Sequence, residues 1–107
     1  MTTVDGHDTI VRDGHEVHPS EVEAVLMSHP GISLAAVVGV PDEFHGEEVK
    51  AFVIRKPGAR VTGDELIWWS KRVMAASGYP RMVEFRESLP MTATGEVRRH
   101  ELGYDGD

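Results

Sequence analysis

The feature that most constrains this chain is an apolar run from Ile32 to Val40, rich in valine and alanine and closed by Pro41. It is far too short to cross a bilayer, which takes about 20 residues. With β-branched side chains and turn residues at both ends it reads as a buried strand. Its neighbour follows at once. Val49–Arg55 alternates imperfectly and is stopped by Lys56-Pro57-Gly58, while Asp42–Glu47, containing Gly46, is the polar loop between them.

The flanking segments supply the rest of a small layered fold. Ile10–Arg12 and Glu16–His18 bracket Asp13-Gly14, a pair suited to a tight type I′ turn because both residues accept positive φ. Pro19 fits the first position of a helix, where its missing N–H is harmless. Glu21 and Glu23 complement the helix dipole there, and Val22, Val25 and Leu26 form a buried face ended by His29-Pro30-Gly31. Thr62-Gly63-Asp64-Glu65 is a capping box. It opens a second helix carrying Leu66, Trp69, Val73 and Met74 inward and ending by Gly78. Met82–Phe85 is a short strand, and residues 98–102 form a final helical turn. The expectation is one α+β domain over residues 1–107: a small mixed β-sheet flanked by two main helices, with an N-terminal β-hairpin.

Composition narrows the function classes. The 107 residues are 40% hydrophobic and 27% charged, which suits a soluble globular domain. A net charge of −7 argues against general nucleic-acid binding, which depends on cations neutralising phosphates. There is no cysteine, hence no disulfide or thiolate chemistry. The N-terminus MTTVDGHDT lacks the cationic and apolar regions of a signal peptide, so no membrane and a cytoplasmic location are expected.

Several tempting residues read blandly. His15 and His18 fall on opposite faces of a strand and no third ligand supports them, so no metal is expected. Trp69 is core by its spacing from Leu66, and Trp68 is its partly exposed neighbour. Asp42-Glu43 and Glu47-Glu48 read as acids of a solvated turn. Gly14 and Gly95 are single turn glycines rather than a phosphate-cradling loop. Arg98 and Arg99 have the charge to meet an anion, but acids surround them.

The segment Leu89–Arg99, LPMTATGEVRR, resembles the C-terminal signature of the adenylate-forming superfamily, which comprises acyl-CoA synthetases, nonribosomal-peptide adenylation domains and luciferases. That signature runs roughly LPxTxTGKxxR. The resemblance extends through Asp8, Ile10, Gly14, Val17-x-Pro19-x-Glu21-Val22-Glu23, His29-Pro30, Ala35–Gly39, Pro41-Asp42 and Gly46-Glu47. It implies the mobile lid of a ligase, which rotates between an adenylation pose and a thiolation pose over a large ATP- and acid-binding domain. It also implies a motif loop of Thr92, Thr94, Gly95 and Arg99, a hinge at His7 and Asp8, and a CoA or thiolation face near Gly14, Phe44 and Arg81.

The departures from the family pattern are specific. The family's lysine, which reaches the carboxylate and α-phosphate during adenylation, is replaced by Glu96. Asp5 and His7 fall where a GRxxD segment carries an arginine and a hinge residue, and Ser77-Gly78-Tyr79-Pro80 replaces YKxP. A lysine about 4 Å from a phosphate gains roughly 4 kcal/mol at an effective dielectric near 20, and a glutamate turns that into repulsion. Glu96 is therefore expected not to support adenylation. Three explanations stand open: drift or recruitment to another role, an engineered or excised origin, and a lid that still serves in trans, as in the thiolation pose where that lysine is not needed. The expectation is a stand-alone C-terminal-type domain, related to AMP-forming acid–thiol ligases and inactive alone. It would bind no cofactor tightly, ATP, AMP and CoA entering only with a partner adenylation domain or carrier protein. The alternative is a non-catalytic interaction or regulatory module that reuses the fold.

Overall fold

A computed structural model describes residues 9–76, 78–99 and 101–102. The elements in chain order are β1 (Ile10–Arg12), β2 (His15–Val17), α1 (Pro19–Met27), β3 (Ile32–Asp42), β4 (Gly46–Arg55), α2 (Gly63–Val73) and β5 (Met82–Phe85). Residues 99, 101 and 102 are helical. The five strands form one mixed sheet. β4 pairs antiparallel with β3 and, at Gly46, with β1, and parallel with β5; β2 completes the hairpin beyond β1. A parallel pair needs a crossover connection, and α2 supplies it between β4 and β5.

Strand alternation divides the side chains into two layers. On one face Val37, Val49, Ala51 and Val53 pack with Ile10, Val17, Val22 and Leu26 of α1, and Leu66 of α2. On the other, Ala36, Val38 and Phe52 are covered by Leu89, Val97 and Leu102 of the C-terminal segment. Valine and alanine on both faces explain why Ile32–Val40 shows no polar alternation.

The local signals act as their chemistry requires. Asp13 (φ 54°) and Gly14 (φ 79°) form the two-residue turn, with Arg12 opposite His15. The Thr62 hydroxyl accepts from Glu65 N–H at 3.1 Å while Glu65 Oε1 accepts from Thr62 N–H at 2.9 Å, closing the capping box. No helix among the described residues is long and apolar enough to cross a membrane.

Several details differ from expectation: β2 is His15–Val17 rather than Glu16–His18, and α2 ends at Val73, before Gly78. β3 continues through Pro41 to Asp42 because β3 is an edge strand, where a residue without an N–H is tolerated. β4 starts at Gly46 rather than Val49, since Gly46 pairs with both Asp42 and Arg12. In α2, Val73 is 52% exposed instead of buried. The buried stripe is Leu66 and Ser70, and Val73 is the last residue of the helix, where the chain turns away. Ser70 is fully buried and donates to the carbonyls of Leu66 and Ile67, leaving no orphaned hydroxyl.

Candidate functional site

Two regions carry the residues singled out in the sequence. The first is the motif loop. Met91 and Val97 form an isolated antiparallel bridge, and Arg98 N–H donates to Pro90 O at 2.9 Å. Within it, Thr92 N–H donates to Glu96 O at 2.7 Å, Gly95 N–H to Thr92 O at 3.0 Å, and Glu96 N–H to Thr92 Oγ1 at 3.1 Å. Thr92 Oγ1 also shares a hydrogen bond of 3.0 Å with Thr94 Oγ1. Gly95 takes φ +92°, a conformation that L side chains rarely adopt. The backbone and two threonines thus close the loop without help from the side chain of Glu96. That carboxylate is exposed and has no hydrogen-bond or ion-pair partner among the described residues.

The arginines beside it are engaged within the domain. Arg98 Nη1 lies 3.1 Å from Glu101 Oε2. Arg99 makes a bidentate pair with Glu23, Nε to Oε2 at 2.6 Å and Nη2 to Oε1 at 2.7 Å, largely shielded from solvent. Glu23 Oε2 also accepts the N–H of Val37 at 2.8 Å. Val37 lies on the free edge of β3, so this carboxylate both satisfies an edge donor and blocks strand addition. α1 covers one face of the sheet and the segment ending in Arg99 covers the other, so the pair ties the two layers across that edge. The sequence reading assigned Glu23 to the helix dipole and missed this role. The signal lay in the spacing, because Pro19, Glu23 and Leu26 stand at i, i+4 and i+7, one stripe of the helix.

The second region is one end of the sheet. Asp42 Oδ2 accepts from the N–H groups of Phe44 and His45 at 3.1 and 2.9 Å, shaping the β3–β4 loop and leaving Phe44 83% exposed. Asp13 N–H donates to His45 O at 2.8 Å, and His45 Nδ1 lies 3.0 Å from both Asp13 carboxylate oxygens. The hairpin tip with Gly14 is thereby latched beside Phe44. β5 runs parallel to β4, and Arg81 N–H donates to Val49 O, so Arg81 sits at this same end. Its guanidinium stacks 3.7 Å from the Tyr79 ring centre and donates to the carbonyls of Tyr79 and Ala76. The structure therefore brings Gly14 and Phe44 together with the start of β5. His7 and Asp8, like Asp5 and Ser77, lie outside the described residues.

The acids of this loop are less idle than a solvated turn. Glu48 is buried and accepts from Arg12 Nε at 2.8 Å. Asp42, His45 and Glu48 bring potential metal-ligating atoms within 4.8 Å of one another, but Arg12 already supplies the positive charge, pairing with both Glu48 and Asp13.

The His45 hydrogen bond holds the Asp13 carboxyl below its ordinary value of 3.8. A depressed carboxyl stabilises the fold fully above that ordinary value, and the contribution is lost as pH falls through the depressed one. Asp13→Asn keeps a residue that tolerates positive φ. We expect it to lower the melting temperature slightly near about pH 6, the difference from the parent vanishing towards about pH 2. Thermal melts across that range check it.

Comparison with known proteins adds an independent line. Residues 21–96 match the model of the AMP-binding enzyme C-terminal domain. A feruloyl-CoA synthase of Amycolatopsis sp. is 40% identical over 95 residues, covering 89% of this chain and 19% of that protein. The crystal structure of a Brucella canis acyl-CoA synthetase superposes with a TM-score of 0.84 at 42% identity, over 89% of this chain and 18% of the other. Apo MatB from Rhodopseudomonas palustris gives 0.88 at 31% identity, over 94% and 20%. The chain spans about a fifth of the length of the curated relatives it matches.

Proposed function

The chain belongs to the AMP-binding enzyme C-terminal domain family, and on that premise we propose that it is a lid specialised away from adenylation. It works against a large ATP- and acid-binding domain, and contributes to transfer of an activated acyl group onto a thiol of CoA or a carrier protein. The observation that carries this reading is Glu96. The loop around it is closed by the Thr92, Thr94 and Gly95 interactions, yet it presents an anion where the family's adenylation lysine stands.

An anion at that point opposes a phosphate by electrostatics alone, with no loss of fold. The hairpin end with Gly14, Phe44 and Arg81 contains none of the substituted motif position. A lid of this kind separates the two half-reactions: formation of the acyl adenylate with release of pyrophosphate, and displacement of AMP by a thiol. The hairpin end bears on the second through shape and apolar contact at Phe44. Arg81 acts mainly as a scaffold there, since its guanidinium already holds two carbonyls.

The test supplies the chain to the large domain of a related CoA ligase whose own lid has been removed. Thioester formation from preformed acyl adenylate and CoA is expected to rise on addition, while ATP–pyrophosphate exchange stays at background. Exchange restored by the unaltered chain would overturn the specialised role. The same carboxylate favours a second reading, an interaction or regulatory module that uses no nucleotide. Stable binding to the large domain with neither half-reaction accelerated is the result that reading requires.

A further inference from the structure

We propose that Glu47 is a positioning residue whose carboxylate replaces a missing strand carbonyl, fixing the angle of the β1–β2 hairpin and with it the face that meets the acceptor thiol. The inference rests on the lid reading and identifies how its thiol-transfer face is held. Among the described residues the hairpin joins the rest of the sheet through one ladder pair, Arg12 with Gly46. Asp13 N–H still reaches His45 O at 2.8 Å, but Val11, one residue nearer the hairpin root, pairs with Glu16 on β2 and with no residue of β4. Glu47 fills that gap. Its Oε1 accepts the Val11 N–H at 2.7 Å, a short bond to a charged acceptor.

The neighbouring strand is shaped for this contact. Glu47 pairs with Pro41, two residues beyond Gly39 on β3, so its side chain and position 39 share a face of the sheet. A Cβ at position 39 would stand 2.9 Å from Glu47 Oε2 and 3.1 Å from both its Cδ and Ile10 Cγ1. Gly39 does not take positive φ, so room for the carboxylate, rather than backbone freedom, accounts for the glycine. Through that gap the Glu47 side chain crosses from β4 to β1. The other polar fastenings of the hairpin act at Arg12, through Glu48, and at Asp13, through His45. A strand fastened near its tip alone can pivot there, and Val11 gives it a second fixed point. Buried Ile10 and Val17 hold the root by apolar packing, which is non-directional. Val11 is 46% exposed, so water can replace a lost acceptor and the fold tolerates the loss. The angle at which Gly14 and Phe44 face an acceptor is what the carboxylate sets.

The full chain is added to the lidless large domain with preformed acyl adenylate, and thioester formation is followed against CoA concentration. Glu47→Ala is expected to raise the apparent KM for CoA about tenfold with kcat nearly unchanged, because the hairpin supplies binding and no reacting group. Glu47→Gln keeps an acceptor oxygen and should stay within about threefold of the parent. Gly39→Ala displaces the carboxylate without deleting it, so it should match Glu47→Ala, and the double variant should be no worse than either. Amide exchange at Val11 should accelerate in Glu47→Ala and Gly39→Ala but not in Glu47→Gln. Circular dichroism verifies that each variant remains folded. A parental KM in Glu47→Ala, additive losses in the double variant, or Val11 exchange indifferent to all three changes overturns the proposal. Glu47→Gln as impaired as Glu47→Ala would also overturn it, assigning the effect to charge rather than position. If the parent chain accelerates nothing, the lid reading fails and this inference with it, an outcome distinct from an active parent and an equally active Glu47→Ala.

Discussion

Glu23→Ala is expected to destabilise the domain by about 3–5 kcal/mol, the usual result of breaking a buried ion pair by removing one partner. A domain of this size has about 5–15 kcal/mol in total, so the variant sits near the threshold of folding. Two losses combine. The Arg99 guanidinium loses its bidentate carboxylate, and the Val37 N–H on the edge of β3 loses its acceptor. Urea denaturation reads the effect as a lower midpoint at unchanged slope. Arg99→Ala should cost a similar amount, and the double variant much less than the sum, because both changes remove one interaction. A fully additive result would mean that the pair is not coupled.

A second pair of variants separates charge pairing from edge capping. Glu23→Leu with Arg99→Met replaces the ions by apolar groups of similar size, a change that is often neutral for a buried pair. Here it should still leave a deficit of about 1–3 kcal/mol, the cost of an unsatisfied buried donor at Val37. Full recovery would show that the edge N–H finds water instead. The motif loop ends only two residues before Arg99, so loosening this tie should also speed amide exchange at Thr92 and Glu96, whose N–H groups close the loop.

That tie marks the boundary of what the sequence discloses. Asp13-Gly14, Pro19 and the Thr62–Glu65 box act within a few residues of themselves, so their chemistry predicts the turn and both helix starts. The apolar run at Ile32 discloses a buried strand for the same reason. Edge position does not show in a local pattern: nothing near Pro41 says that no strand lies beyond it, and β3 therefore runs two residues further than its proline suggests. Val73 fails in the other direction. Its spacing from Leu66 is right, but it is the last residue of the helix and stays 52% exposed. The candidate site divides in the same way. LPMTATGEVRR marks the loop by resemblance, whereas the grouping of Gly14 with Phe44 requires the Asp13–His45 contact across 32 residues of sequence. The Glu23–Arg99 pair spans 76, and only the helical stripe through Pro19 and Leu26 hints at half of it.

The largest functional effect is expected from Glu96→Lys, measured as ATP–pyrophosphate exchange in the presence of a partner large domain. A unit charge about 4 Å from a phosphate oxygen is worth about 1 kcal/mol in water and about 4 kcal/mol at an effective dielectric of 20. Reversing its sign doubles that, a swing between about 2 and 8 kcal/mol. At about 1.4 kcal/mol per factor of ten, even the lower bound is a roughly 30-fold gain in rate. Stability should move by no more than about 0.5 kcal/mol, because the side chain is exposed and the loop closes through Thr92 and Gly95 without it. Glu96→Gln removes the repulsion and adds no attraction, so the logarithm of its rate should fall midway between parent and lysine variant. A glutamine variant as fast as the lysine would mean that relief of the repulsion is sufficient and that a cation at residue 96 adds no stabilisation of its own. Exchange unchanged in both would place the defect elsewhere in the lid and remove the electrostatic account of Glu96.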